Sequence, residues 1–74
     1  MTLGEQIRQA RELKRLSQED LANQLQVSRQ TVSKWENDSS VPQGIHKDML
    51  EKVLDISIFW IIKPKKLIVN EINY

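Results

Sequence analysis

The chain has 74 residues, no cysteine, and 11 basic against 10 acidic side chains, which leaves a formal net charge of +1. A chain of this length builds one small domain, and the absence of cysteine excludes a disulfide scaffold and a cysteine-ligated zinc finger. The lack of cysteine also fits a reducing compartment, so we expect a cytoplasmic protein.

The first predicted helix begins near Leu3. Thr2 and Glu5 have the residue types and the spacing of a capping box, in which each side chain accepts a hydrogen bond from the other residue's backbone N–H. Apolar residues then recur every three or four positions, which predicts one buried stripe along this helix. The stripe consists of Leu3, Ile7, Ala10 and Leu13.

The second predicted helix begins at about Gln18. Ser17 is a favourable N-cap, and Asp20 places an acidic side chain near the positive end of the helix. After this helix, Val27 returns the chain to the core. The narrow apolar stripe of the helix consists of Leu21, Ala22 and Leu25.

A third helix is predicted after a very short connection. Ser28 is its N-cap, and Val32 and Trp35 lie three positions apart on its apolar face, so we expect Trp35 to belong to the core. A connection this short prevents the two helices from lying antiparallel, and they are expected to cross steeply. The far face of the third helix stays polar and carries Arg29, Gln30, Ser33 and Lys34.

This polar face has the side chains that read the edges of base pairs. Arginine pairs with guanine O6 and N7, glutamine pairs with adenine N6 and N7, and side chains near the start of a helix reach deepest into the major groove. Two interpretations follow from the residues alone: a helix-turn-helix that reads DNA, or a solvated helix face without a partner.

Net charge gives weak support to the first interpretation, because nucleic-acid binders are usually strongly basic. The distribution of charge along the chain gives better support to DNA binding, since Arg29 and Lys34 are the only charged residues between Asp20 and Glu36. The polar face is therefore locally positive. With so few cations available to phosphates, we expect a shallow dependence of binding on salt.

Beyond this segment, many spaced positions agree with one family. The matching runs are Ile7–Arg11, Leu16–Ala22 and Val27–Asn37, together with Pro42 before the fourth helix. Through them, the stretch from Leu3 to Ser57 resembles the Cro and phage-repressor type helix-turn-helix family, also called Xre-like or Cro/C1-type, of bacterial and phage transcription regulators. The resemblance implies an all-α, compact five-helix domain of the lambda-repressor type that binds double-stranded DNA through its third helix.

The resemblance also implies roles for individual residues. The set implied to contact bases is Arg29, Gln30, Ser33 and Lys34. The set implied to contact phosphates is Gln18, Ser28, Thr31 and Asn37.

Two further implications concern how the third helix is held. Arg11 and Glu36 match a family pair that joins the first helix to the end of the third as a structural salt bridge. Gln18 matches a residue that often braces the first base-reading side chain, which here is Gln30 or Arg29.

A fourth helix is predicted from Ile45 to Leu54. It is expected to bury Val53, Leu54 and either Met49 or Leu50. Here the chain departs from the family, because Gly44 and Lys47 stand where apolar residues are usual. The start of this helix is therefore expected to be frayed, shifted, or packed through Ile45.

The segment after Ser57 departs further. Residues 58–62 are apolar all round a helix, so a fifth helix here leaves an exposed apolar patch whose natural cover is a second copy of the chain. We therefore expect a homodimer whose interface includes Phe59, Trp60 and Ile62. This run is too short to span a bilayer, and no signal-sequence pattern precedes the first helix, so no membrane association is expected.

The remaining residues lie outside the family pattern. We expect residues 1–62 to form the DNA-binding domain and residues 63–74 to form a C-terminal tail, because Pro64 ends a helix and β-branched residues follow it. The tail is predicted as a short strand or extended arm. It pairs with the same strand of a second chain, folds back over the apolar patch, or is disordered.

Together these features predict a sequence-specific transcription regulator, most simply a dimeric repressor on a palindromic operator. The alternatives are an antitoxin that binds DNA and, through the tail, a protein toxin; an interaction module that has lost DNA binding; and an activator. An enzyme is not expected, because no catalytic constellation falls in one place. His46 has no ligand set around it, so no metal or cofactor is expected.

Overall fold

The computed structural model describes residues 1–57, and this part of the chain is helical. The helices are α1 (Leu3–Leu13), α2 (Gln18–Leu25), α3 (Arg29–Glu36) and α4 (Gly44–Leu54). All four were predicted from the sequence, and the predicted start of α4 differs by one residue. The predicted fifth helix, the dimer residues Phe59, Trp60 and Ile62, and the tail of residues 63–74 lie outside the described residues.

Side-chain caps fix the starts of the first three helices. Thr2 and Glu5 form the predicted capping box of α1, and Ser17 and Asp20 form a second one at α2. Ser28 caps α3 by accepting a hydrogen bond from the backbone N–H of Thr31. Because these signals depend on residues three apart, they are readable from sequence, and the predictions at all three positions are confirmed.

The start of α4 is different. Gln43 precedes it without a side-chain capping hydrogen bond, and Gly44, its first residue, has φ +59°. The departure from the family at Gly44 therefore coincides with a helix start that lacks a side-chain cap.

The capping box at α2 predicts a specific dependence of stability on pH. The Ser17 backbone N–H, and then the Ser17 hydroxyl, hold the pKa of Asp20 below its ordinary value of 3.8. The folded state therefore favours the ionised form, and this stabilisation is present above the unfolded pKa and is lost as pH falls through the folded pKa. Changing Asp20 to Asn is expected to lower stability at neutral pH, with a difference from wild type that shrinks below pH 3.8.

Urea midpoints measured across this pH range test the prediction. Glu19→Gln is the matched control, because it removes a negative charge from the same exposed turn without removing a capping hydrogen bond. An Asp20→Asn deficit that is the same at both ends of the pH range contradicts the assignment.

One hydrophobic core joins all four helices. Its fully buried side chains are Ile7, Leu21, Leu25, Val32 and Leu50. Trp35 lies in this core at 4% exposure, as predicted, and Val27 packs against it. The most extensive contacts are those that α3 makes with α2 and with α1, so the third helix is held from two sides.

One residue assigned to the core is exposed, and one of the alternatives for the start of α4 is excluded. Leu13 is 84% exposed at the end of α1, although the periodic stripe assigned it to the core. Ile45 is 67% exposed, so α4 does not pack through it. Leu50 and Leu54 are the buried residues of that helix, and Val53, also expected to be buried, is only partly buried against the core. Periodicity identifies the buried face of α1 through Leu3, Ile7 and Ala10, but it does not predict how far along the helix that face is covered.

The turn between α2 and α3 spans only three residues. Gln26 ends α2 with φ 59° and ψ 44°, a left-handed conformation that reverses the chain sharply. The Val27 backbone N–H donates to the Ala22 carbonyl oxygen at 3.0 Å, which closes the turn, and Ser28 immediately caps α3. The crossing angle of the two helices is thus fixed by backbone geometry.

Left-handed residues also mark other helix ends. Arg15, Asp38 and Asp55 have φ between 57° and 64°, and each follows the end of a helix. None of them is glycine, although glycine is the residue that adopts this conformation without cost.

Candidate nucleic-acid interface

α3 has one buried face and one exposed face. Val32, Trp35 and Glu36 are buried against the other helices. The four residues predicted to read bases lie together on the rest of the helix surface: Arg29, Gln30 and Lys34 are exposed, and Ser33 is half-buried. The structure therefore presents this set outward on an element anchored by core residues.

A buried ion pair ties α1 to the end of α3. Arg11 Nε donates to Glu36 Oε2 at 2.6 Å, and Arg11 Nη2 donates to Glu36 Oε1 at 3.2 Å. Arg11 Nη1 also donates to the Leu16 carbonyl oxygen at 2.7 Å. The hydrogen bond to Glu36, more than the opposing effect of burial, raises the pKa of Arg11 above its ordinary value. This is the salt bridge expected from the sequence, and both residues are buried.

Gln18 links this pair to the outward face. Its Nε2 donates to Glu36 Oε1 at 3.0 Å, and its Oε1 accepts from Arg29 Nη1 at 3.3 Å. The residue braced by Gln18 is therefore Arg29, one of the two candidates named from the sequence. Because both ends of the amide are occupied, a phosphate contact has to use the second N–H on Nε2.

Ser28 and Thr31 are joined by a second contact besides the cap. The Ser28 and Thr31 hydroxyl oxygens lie 3.0 Å apart, within hydrogen-bond distance. Ser28 therefore organises the start of α3, and only one of the two hydroxyl hydrogens is needed within the pair. The other hydroxyl hydrogen is free to donate outward, as a phosphate contact requires.

Asn37 stands at the other end of α3. Its Oδ1 accepts from the Ser39 backbone N–H at 3.0 Å, which orders the turn that follows the helix. The donor end of this amide makes no hydrogen bond within residues 1–57. Donation to a phosphate oxygen is thus compatible with the observed side-chain orientation.

The contact that sets the spacing of α1 and α3 was not predicted from the sequence. A Cβ placed on Gly4 lies 2.7 Å from the Glu36 carbonyl carbon and from the Trp35 carbonyl oxygen, and closer still to the Glu36 oxygen. The Gly4 N–H also donates to Asp38 Oδ1 at 2.9 Å. The signal was present in the sequence, because an isolated glycine inside a helical pattern often has a packing reason.

Three further basic side chains lie on or just after α1: Arg8, Lys14 and Arg15, and all three are exposed. His46 is half-buried rather than fully on the surface, with its ring centroid 6.2 Å from that of Trp35. Within residues 1–57, no group of three or more acidic or histidine side chains is arranged to hold a metal ion.

The charge of the outward face of α3 also depends on which acidic side chains are buried. Glu36 is the acidic residue of α3, and it is 7% exposed and paired with Arg11. Its carboxylate therefore does not oppose an approaching anion.

Every buried side-chain nitrogen or oxygen in the described part of the chain has a hydrogen-bond partner. In the same part, no helix has the length and apolar character that a membrane crossing requires.

Comparison with known protein families and sequences identifies helix-turn-helix proteins in each case. The helix-turn-helix family HTH_3 matches residues 7–61. The chain is 40% identical over 62 residues to the HTH-type transcriptional regulator DicA of Escherichia coli (strain K12), covering 84% of this chain and 46% of DicA. It is 35% identical over 68 residues to the HTH-type transcriptional activator BcrR of Enterococcus faecalis, covering 92% of this chain and 33% of BcrR. The chain thus spans less than half the length of either relative.

A solved structure has a similar fold. A chain in a complex of SinR protein with SinI protein superposes with a TM-score of 0.67 at 25% sequence identity, covering 90% of this chain and 66% of that chain. Both sequence relatives are named as transcription regulators. Their names and the matched family agree with the predicted class, a transcription regulator rather than an enzyme.

Proposed function

This chain belongs to the helix-turn-helix family, and we propose that it binds duplex DNA sequence-specifically through α3 and regulates transcription. The observation that carries the proposal is the division of α3 into two faces. Arg29 and Gln30 are exposed at its start, while Val32 and Trp35 anchor it in the core. A recognition helix needs this combination, since its first residues must reach base edges without losing their orientation.

The contacts divide into two kinds. Arg29, Gln30, Ser33 and Lys34 would contact bases, with Arg29 and Gln30 setting most of the sequence preference. Phosphates would be held by Gln18, Ser28, Thr31 and Asn37, which are neutral, so the position of the protein on the duplex depends more on hydrogen bonds than on net charge. This agrees with the near-zero net charge of the chain.

We further propose that the chain acts as a dimeric repressor on a palindromic operator. Two copies related by a twofold axis would place their third helices about 34 Å apart, one turn of B-DNA. The proposed interface contains Phe59, Trp60 and Ile62, with residues 1–62 as the DNA-binding domain. Residues 63–74 would form an arm that pairs between copies or binds a protein partner.

Selection from a random pool of DNA duplexes tests the function directly. The expected result is one enriched motif whose two halves are related by inverted symmetry, with centres about one helical turn apart. A motif without symmetry argues against the dimer while leaving DNA reading intact. Failure to enrich any sequence under low-salt conditions overturns the proposed function.

Ser28 provides a test that separates folding from binding. Changing Ser28 to Asp is expected to leave the free energy of unfolding within about 0.5 kcal/mol of wild type, because aspartate is as good an N-cap as serine. Affinity for the selected operator should fall by about tenfold or more, since the new carboxylate faces a phosphate. The measurements are urea unfolding and fluorescence anisotropy with labelled duplex.

Thr2→Asp is the matched control for this variant. It adds the same charge at another helix N-cap, and Thr2 is not among the residues proposed to contact DNA. Its affinity for operator is expected to change little. Equal loss of affinity in both variants would show that overall charge, and not position at the start of α3, governs binding.

A further inference from the structure

We propose that Glu36 determines how Arg29 reads a base, although Glu36 itself is buried and does not face the duplex. The proposal rests on the proposed function and identifies a positioning residue for base selectivity. Its basis is a chain of hydrogen bonds from Arg11 through Glu36 and Gln18 to Arg29. This chain runs from the core of the domain to the first residue of α3.

The direction of the Gln18 amide follows from the chemistry of its two neighbours. An ionised carboxylate only accepts hydrogen bonds, so Gln18 must turn its Nε2 toward Glu36. A guanidinium only donates, so the opposite end of the amide, Oε1, is the end that can hold Arg29. The observed contacts, 3.0 Å from Gln18 Nε2 to Glu36 Oε1 and 3.3 Å from Arg29 Nη1 to Gln18 Oε1, have this polarity.

Arg11 fixes the orientation of the Glu36 carboxylate, which in turn sets the direction of the Gln18 amide. It donates to both oxygens of Glu36, and 7% of the Glu36 surface is exposed. Glu36 therefore has one orientation and presents Oε1 to Gln18. Arg29, in contrast, is exposed. Its hydrogen bond to Gln18 is the contact that orders it before DNA arrives, and an ordered guanidinium loses less conformational entropy on binding a guanine.

Changing Glu36 to Gln tests the idea because the new amide reverses the order of donors. Arg11 only donates, and its shorter contact, 2.6 Å from Nε, is with Oε2, so the oxygen of the new amide would take that position. Its NH2 group would then take the position of Oε1, which faces Gln18 and the longer contact from Arg11 Nη2. Gln18 would then turn its own oxygen toward the new amide and its NH2 group toward Arg29. Two donors would oppose each other there, and Arg29 would be released.

The experiment measures base preference, as the ratio of dissociation constants for the selected operator and for duplexes with one base pair changed. Arg29→Ala first identifies the base pair that Arg29 reads. At that base pair, the preference of Glu36→Gln is expected to fall by roughly three- to tenfold, the range that corresponds to losing the order of one long side chain. The preference at the base pair read by Gln30 should be retained.

Loss of stability does not confound this ratio, because the folded fraction affects both dissociation constants equally. Leu50→Ala is the matched control: Leu50 is fully buried in α4 and takes no part in the hydrogen-bond chain, so this variant is destabilised but should keep every base preference. Gln18→Met removes both ends of the amide at similar length, and it should reproduce the Glu36→Gln profile. The double variant Gln18→Met with Glu36→Gln should lose no more preference at the Arg29 base pair than either single variant.

The outcomes are distinguishable. If the wild type enriches no motif, the proposed function fails. If a motif is enriched but Arg29→Ala changes no position, or if Gln18→Met changes the Arg29 position while Glu36→Gln does not, the positioning role of Glu36 is overturned and DNA reading stands. An equal loss of preference at all positions in Glu36→Gln would likewise overturn it, because a residue that acts through Arg29 changes the preference at the base pair read by Arg29 alone.

Discussion

Changing Arg11 to Met is expected to lower the free energy of unfolding by about 3–5 kcal/mol. Methionine keeps much of the apolar stem but removes every donor that Arg11 gives to Glu36. The Glu36 carboxylate would remain buried with Gln18 Nε2 as its other observed partner. Since domains are typically stable by only about 5–15 kcal/mol, a loss of this size would leave little net stability. Urea unfolding followed by far-ultraviolet circular dichroism measures it.

Two comparisons identify the cause of this loss. Arg8→Met makes the same replacement at an exposed position of α1 and should change stability by no more than about 0.5 kcal/mol. The double change Arg11→Met with Glu36→Leu removes both charges and should recover much of the loss, because the penalty comes from a buried charge without its partner. A double variant that is as unstable as Arg11→Met alone would instead assign the loss to packing.

Changing Gly4 to Ala is expected to destabilise the fold by about 1–3 kcal/mol or more, which is the range for overpacking. Within a helix this change ordinarily stabilises by roughly 0.5–1 kcal/mol, so the expected effect has the opposite sign. The reason is the position of the added Cβ, which would overlap backbone atoms of Trp35 and Glu36. Backbone atoms cannot move aside as a flexible side chain can, so α1 and α3 must separate.

Gly44→Ala is the matched control, since nothing lies within 4 Å of a Cβ at that position. Its cost should be only that of a left-handed alanine, roughly 1 kcal/mol, because Gly44 has φ +59°. Thermal unfolding of the two variants side by side gives the comparison. A Gly4→Ala protein as stable as the wild type would show that the two helices are not in close backbone contact in solution.

Local signals were predictable from the sequence, and long-range distances were not. The caps at Thr2, Ser17 and Ser28 depend on residues three apart, and the starts of α1, α2 and α3 followed from them. Leu13 was assigned to the core because it continues a periodic stripe, yet it is exposed. The Gly4 contact with Glu36 joins residues far apart in the chain, and composition carries no measure of the distance between them.

The candidate site shows the same division. The outward position of Arg29 and Gln30 follows from the spacing of Val32 and Trp35, which fixes the face of the helix. The sequence left two candidates for the side chain that Gln18 braces, and only the geometry distinguishes them. Which polar groups meet across three helices depends on how those helices cross, and this is a property of the assembled core.

The left-handed residues at the helix ends are positions at which the thermal stability of this domain can be raised. Each carries a Cβ in a conformation that disfavours one by roughly 1 kcal/mol. Asp38 has a second task, because it accepts the Gly4 N–H, but the side chains of Arg15 and Asp55 make no hydrogen bond within residues 1–57. Glycine at those two positions relaxes the backbone without touching the core or the outward face of α3, and heat tolerance can therefore be engineered independently of sequence preference.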